Sequence, residues 1–240
     1  MKGRFLKLLS LVIILTISLA SCTKEGTDLG KFNLSYGVIV GTNPDYSVKL
    51  DNGTTLTIQV NRVPQIVVKD GQRVLVDYTV LEEDKTPSAN AVPATQPVIL
   101  NYIYDILAKD VIMSSAVNTV EKNDSIGHDY IDVLDGWVGS KYLNIHFEVL
   151  RENPVTKHMI SLVYDEVRST ATDKYFTLRH NAFGDRRAYN SFGRVSFNIE
   201  DILSNVDISE GRKVNIHLEW KSDFYGNQSK TIVLSNWFCD

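Results

Sequence analysis

Arginine, histidine and asparagine stand side by side at Arg179-His180-Asn181, with Gly184-Asp185 three residues further on. At the end of a strand beside a turn, such a trio can grip a carboxylate or position a general base. The same spacing fits a plainer role. His180 continues the two-residue apolar period of Phe176 and Leu178, which turns its ring inward, and Arg179 with Asp185 can pin the turn through an ion pair. The alternation favours this second role. His180 is therefore expected to be buried with a hydrogen-bond partner, and Arg179 to be outward and solvated.

The other reactive side chains are sparser. His146 and His217 lie on outward faces of alternating segments and would meet as metal ligands were their strands adjacent, but two histidines without a third ligand make a weak site. Neither a metal nor a cofactor is expected. Tyr36, Tyr78, Tyr102 and Tyr104 are candidates for a platform on which sugar or peptide could stack. They share alternating faces with valine and leucine, which is what a core looks like, and the core reading is preferred. His-Glu-x-x-His, Cys-x-x-Cys, Gly-x-Ser-x-Gly, the Walker loop and Gly-x-Gly-x-x-Gly are all absent from the sequence, so no catalytic residue is assigned. The leading expectation is a non-enzymatic module that binds a protein or a glycan. The alternatives are a hydrolase, since a glycosidase needs only two carboxylates whose pairing spacing cannot reveal, and a purely structural envelope component.

These side chains belong to an exported chain. Lys2, Arg4 and Lys7 precede a nearly unbroken apolar run from Leu8 to Ala20, which ends in Leu19-Ala20-Ser21-Cys22. That is the build of a signal peptide over residues 1–21. The run falls short of the roughly 20 residues a membrane-crossing helix needs. Leu19-Ala20-Ser21-Cys22 has the form of a bacterial lipobox, so cleavage is expected before Cys22, with lipid on its sulfur and an acyl chain on the new amino terminus. Those chains together suffice for stable anchoring. The expected place is the cell envelope, on the outer membrane, with its periplasmic and surface faces both open. Loss of residues 1–21 takes three of the 25 basic side chains and none of the 29 acidic ones, leaving a charge of about −7. An acidic chain without a Lys/Arg cluster is a poor partner for nucleic acid. With Cys22 lipidated, Cys239 is the one cysteine left, so no intramolecular disulfide is expected and core burial must hold the fold.

Residues 22–33 offer little to bury and read as a tether. Beyond them the apolar period is two rather than 3.6, which makes the chain all-β. Segments 34–40, 48–50, 54–60, 73–81 and 98–107 read as five strands, with Asn52-Gly53 as a tight primed turn and a proline-rich loop at 86–97. Val74, Val76, Tyr78 and Val80 form one face, and Leu100, Tyr102, Tyr104 and Ile106 another. This pattern predicts an OB-like five-stranded barrel over 34–110. The period fades between Lys109 and Gly127, which marks an interdomain segment at 111–127. About seven more strands over 128–240 predict an antiparallel β-sandwich, with one helical turn near 201–206.

The lipobox, Gly71-Gln72-Arg73-Val74, Tyr142-Leu143-Asn144-Ile145-His146-Phe147, the run from His158 to Leu162, Leu178-Arg179-His180-Asn181, Gly184-Asp185 and Gly193-Arg194-Val195-Ser196-Phe197 occur in an order that resembles the NigD-like lipoproteins of Bacteroidetes. The resemblance covers nearly the whole chain after Cys22. It implies an N-terminal OB-like domain, a C-terminal β-sandwich and a link to bacteriocin genes, and it carries over no catalytic residue. In such bacteria, acidic residues after the lipidated cysteine can route a lipoprotein to the cell surface, and Lys24-Glu25 matches that signal in part. Asp124-Ser125-Ile126 likewise resembles their short O-glycosylation motif.

Overall fold

The computed structural model describes residues 32–81, 94–204, 206 and 213–234. The expected signal peptide, Cys22, nearly all of the expected tether, most of the 86–97 loop and Cys239 lie outside the described residues. Five strands close into a barrel in the order β1-β2-β3-β5-β4: β1 (Phe32–Thr42), β2 (Asp45–Leu50), β3 (Thr55–Asn61), β4 (Arg73–Val80) and β5 (Thr95–Asp105). Ile39, Val48, Leu56, Val74, Val76 and Leu100 fill it.

Two local readings are corrected here. Asn52-Gly53 does not make a two-residue primed turn, because Gly53 but not Asn52 takes a positive φ, at 85°. The Gly53 amide donates to the Leu50 carbonyl and the Leu50 amide to the Thr54 carbonyl, as in a three-residue loop whose type I turn ends in a left-handed glycine. Asn52 serves through its side chain, which accepts the Thr54 amide at 3.0 Å. The second correction concerns β5. Asp77 faces Tyr102 and Tyr78 faces Leu100, which leaves Asn101 as an extra residue. Such a bulge reverses the in–out phase beyond it. Leu100 and Ile103 both point inward, whereas Tyr102 and Tyr104 point outward, 44% and 48% exposed. Asn101 stabilises the bulge by donating to Asp77 and Thr79 at 3.0 Å each. Tyr78 is buried as the core reading expects.

Among the described residues, nine strands, two short α-helices and a 3-10 turn at Ser114–Val117 build the sandwich: β6 (Leu107–Asp110), β7 (Ile112–Met113), α1 (Val120–Ser125), β8 (Asp132–Gly139), β9 (Tyr142–Arg151), β10 (Met159–Tyr164), β11 (Asp173–Asn181), β12 (Tyr189–Asn198), α2 (Glu200–Leu203), β13 (Val214–Ser222) and β14 (Gly226–Leu234). One sheet runs β6-β12-β9-β8 and the other β14-β13-β11-β10-β7. Inward residues such as Leu143, Ile145, Leu162, Phe176, Phe197 and Leu218 meet between them. The interdomain segment expected at 111–127 carries β7 and α1. β6 runs parallel to β12, and β7 parallel to β10, so the chain joins both sheets before it reaches α1. These two strands are too short for a two-residue period to register, which is why about seven are legible in the sequence.

A buried arginine clasps the barrel to the sandwich. Arg73, at the start of β4, is 1% exposed. Its two terminal nitrogens donate to the Asp51 carboxylate at 2.5 and 2.6 Å, its Nε to Ser196 at 3.2 Å, and one terminal nitrogen also to Asn144 at 3.0 Å. The guanidinium lies over the rings of Tyr142, at 4.4 Å, and Tyr36, at 5.3 Å, while Tyr36 meets Trp137 edge-on with centroids 5.2 Å apart. Half-buried Tyr36 is thus part of the joint. Gly139, between β8 and β9, lies so close to Asp51 that a Cβ there would collide with the carboxyl group.

Candidate functional site

At the other end of the sandwich three loops gather, because β9, β11 and β13 finish there and β10, β12 and β14 begin there. A chain of buried polar groups runs beneath them. His180 is 2% exposed. Its Nδ1 lies 2.7 Å from the Tyr130 carbonyl and its Nε2 2.9 Å from His158 Nδ1. His158 Nε2 in turn lies 3.0 Å from Asp185 Oδ2, and both of those side chains are buried. The inward, hydrogen-bonded His180 expected from the two-residue period is therefore found, with a second histidine as its partner.

Burial, first of all, pushes His180 below its ordinary value of 6.5, helped by His158 and opposed by the Tyr130 carbonyl and Asp129. For Asp185 burial acts upward, but the bond from His158 and the amides of Asn153 and Glu152 outweigh it and hold the carboxyl below its ordinary range.

The expected Arg179–Asp185 ion pair does not form. Asp185 folds inward under its turn, while Arg179 points out of the sheet and donates to the Gly127 carbonyl at 2.8 Å, to Asn123 Oδ1 at 3.1 Å and toward the His128 ring. Arg179 is thus engaged rather than solvated. Gly127 comes so close to His180 and Asn181, at a φ of 82°, that any side chain there would collide with their backbone. Asn181 donates to the Ser125 carbonyl at 3.0 Å. Together they lock α1, which carries the exposed Asp124-Ser125 pair, to the sheet. Removing the guanidinium in Arg179→Ala should leave the sandwich folded but open trypsin cleavage at Lys122, since a local opening needs only these few bonds to go. An unchanged digestion pattern would mean that α1 is held without Arg179.

The loops themselves are tied down. Ala182-Phe183-Gly184-Asp185 is a turn with positive φ at both central residues, 51° at Phe183 and 76° at Gly184. The Asp185 amide closes it on the Ala182 carbonyl at 3.0 Å. Asp129 accepts the Ala182 amide at 2.7 Å, and Asn181 Oδ1 accepts that of Phe183 at 2.8 Å. Asp185 also accepts the Asn153 amide in the β9–β10 loop at 3.1 Å, and Arg187 pairs with Asp223 beside the β13–β14 turn. A cavity of about 50 Å³ opens among Asp129, Tyr130, Glu148, Asp185, Arg187 and Phe224. That is room for a few waters and not for a sugar ring. Above this base Phe183 is 60% exposed, and Phe224 and Tyr225 more so.

The remaining candidates lie apart. His146 is in β9 and His217 in β13, on different sheets, so they cannot share a metal. His217 stacks on Tyr175 at 4.3 Å and meets Asp173 at 2.9 Å, while His146 packs against Phe192. Tyr102 and Tyr104 stand together on the outside of the barrel, ring centroids 4.6 Å apart. Sequence reasoning missed His158, Asp129 and Phe183 as members of the loop-end site. A signal for Phe183 was present: Phe183-Gly184 occupies the place where a primed turn prefers Asn-Gly.

An OB barrel clasped to one end of a two-sheet sandwich, whose other end carries a braced set of loops, defines the class of protein. The NigD-like N-terminal OB domain matches residues 38–106 and the NigD-like C-terminal β-sandwich domain residues 114–234, so the chain belongs to the NigD-like family. Among solved structures it is similar to a protein from Parabacteroides distasonis described as toxin related, at 25% identity over 86% of this chain and 95% of that one, with a TM-score of 0.67. It is similar in fold to a NigD-like immunity protein from Bacteroides caccae, at 19% identity over 84% and 92%, TM-score 0.61. A Bacteroides fragilis protein described as a lipoprotein shares the fold at 16% identity over 86% and 99%, TM-score 0.56. A comparison with curated proteins gives no match.

Proposed function

We propose that this chain is a lipid-anchored, non-enzymatic envelope protein that binds another protein through the loop end of its sandwich. The observation that carries the reading is Phe183. A bulky side chain in the left-handed region is a true outlier and costs on the order of 1–2 kcal/mol, and backbone strain of this kind concentrates at functional sites. Here the strained residue gains no burial in return. Its ring is exposed at the same end of the sandwich as the Phe224-Tyr225 turn, on loops braced by Asp129, Asp185 and the Arg187–Asp223 pair. Rigid aromatic side chains on a prepared surface are what protein interfaces use as anchors. Anchoring through Cys22 suits the layout, because the chain enters the described structure at the barrel and the loops lie at the sandwich end away from it. The immunity and toxin-related descriptions of the two relatives favour a protein partner connected with bacteriocin protection.

The exposed Tyr102–Tyr104 pair supports a second reading, a glycan stacked on the barrel. One experiment separates the two. A photoreactive phenylalanine analogue is placed at position 183, 104 or 192 of the full chain and irradiated in native envelopes. The loop-end reading expects one discrete protein adduct from 183 and none from 192, an exposed ring on a sheet face. An adduct from 104 without one from 183 would move the binding surface to the barrel.

A further inference from the structure

The chain of bonds beneath Phe183 admits a count of protons. The Tyr130 carbonyl can only accept, so His180 Nδ1 must carry hydrogen. One hydrogen must lie between His180 Nε2 and His158 Nδ1, and one between His158 Nε2 and Asp185 Oδ2. Three bonds need three protons. Two neutral imidazoles and a carboxylate supply two, so the intact chain holds one proton more. With His180 bonded through Nδ1 to the Tyr130 carbonyl, its Nε2 accepts from His158 Nδ1, and the added proton lies in the bond between His158 Nε2 and Asp185.

We infer that this chain is a proton latch on the Phe183 turn: three shared protons hold the turn closed, and a fourth, arriving on His180 in mild acid, opens it. The fourth proton would sit on His180 Nε2 and set one N–H against another across 2.9 Å, between rings whose centroids are 4.9 Å apart. The charged groups that face the pair are Asp185 from the turn and Asp129 ahead of β8. Asp132 of β8, Glu148 of β9, Arg187 and Asp223 line the adjoining cavity. Asp129 already holds the Ala182 amide, Arg187 offsets Asp223, and Asp185 is bonded to His158. Asp129 favours a charge on His180, but burial outweighs it.

The turn hangs on this chain at both ends. His180 is two residues before Ala182, whose carbonyl closes the turn, and Asp185 is the residue that closes it. The sign follows from the folded values. His180 sits below its ordinary 6.5, so its contribution to stability is complete above pH 6.5 and is lost as pH falls through the lower folded value. Asp185 sits below its ordinary 3.8, so its contribution survives until stronger acid. The mild-acid step therefore belongs to His180.

As a control on binding, the latch rests on the loop-end reading; as a property of the turn, it needs no partner, and the test uses none. Ring-nitrogen NMR correlations of His158 and His180 in the full chain, with the protection factor of the Asp185 amide, are followed from about pH 7.5 to about pH 5. The expected result near neutrality is His180 neutral, with its proton on Nδ1 and its Nε2 accepting a hydrogen bond from His158. In acid, His180 should gain its second proton while the Asp185 amide loses protection about tenfold or more with the same midpoint. A neutral His180 protonated on Nε2, or an Asp185 amide still protected once His180 has titrated, would overturn the latch. Either result would leave the position-183 adduct as a separate question. Absence of that adduct beside a working latch would instead fault the binding reading alone.

Discussion

Arg73→Ala is expected to lower the free energy of unfolding by about 3–5 kcal/mol, the usual cost of breaking a buried ion pair by removing one partner. The size follows from what is left behind. Asp51 loses both bonds from the guanidinium, and Asn144 and Ser196 each lose a donor at a buried site. The space between the Tyr36 and Tyr142 rings empties as well. Lysine should not rescue the loss, because its single ammonium cannot reach carboxylate, amide and hydroxyl together as the planar fork does. Methionine, which refills the volume, should recover part of it only alongside Asp51→Asn. Urea denaturation read by tryptophan fluorescence checks this, since Trp137 packs on Tyr36 at the joint. The variant should unfold at lower urea and in two steps as the barrel and sandwich uncouple. A loss below about 1 kcal/mol, typical of an exposed pair, would mean that the clasp does not hold the two together.

What could be read from the sequence was what repeats. Leu143 to Phe147, Phe176 to His180 and Val214 to Leu218 keep a strict two-residue period. Their inward faces, His180 included, are those the structure buries. Where the period breaks, the reading breaks with it. The extra residue at Asn101 sends Tyr102 and Tyr104 outward, and nothing local announces it, because the partner strand β4 is buried on both faces of its first half. β6 and β7 are too short to show a period. The site is only half legible for a related reason. Arg179, His180, Asn181 and Asp185 are adjacent in sequence, yet Asp185 binds His158 across 27 positions and Arg179 binds Gly127 across 52. Arg73 stood in the sequence as a strand opener, and its role as the joint depends on Asp51, Asn144 and Ser196, whose meeting only the tertiary fold decides.

The second large effect concerns Phe183, and asparagine is the informative replacement. Asn-Gly is what a turn with two positive φ angles prefers, so Phe183→Asn removes strain on the order of 1 kcal/mol and should raise the melting temperature by about 2–4 °C for a chain of this size. The Asn181 and Asp129 bonds that brace the turn involve backbone amides and survive the change. The exposed ring is what goes, and an aromatic anchor of this kind is worth about 2 kcal/mol or more to a partner. The most direct measurement is therefore made twice on one variant: the melting temperature of Phe183→Asn, and its affinity for the protein captured through position 183. The account predicts a more stable protein that binds at least about 30-fold more weakly. A variant that melts lower than the parent, or one that binds its partner as tightly as the parent does, would contradict it.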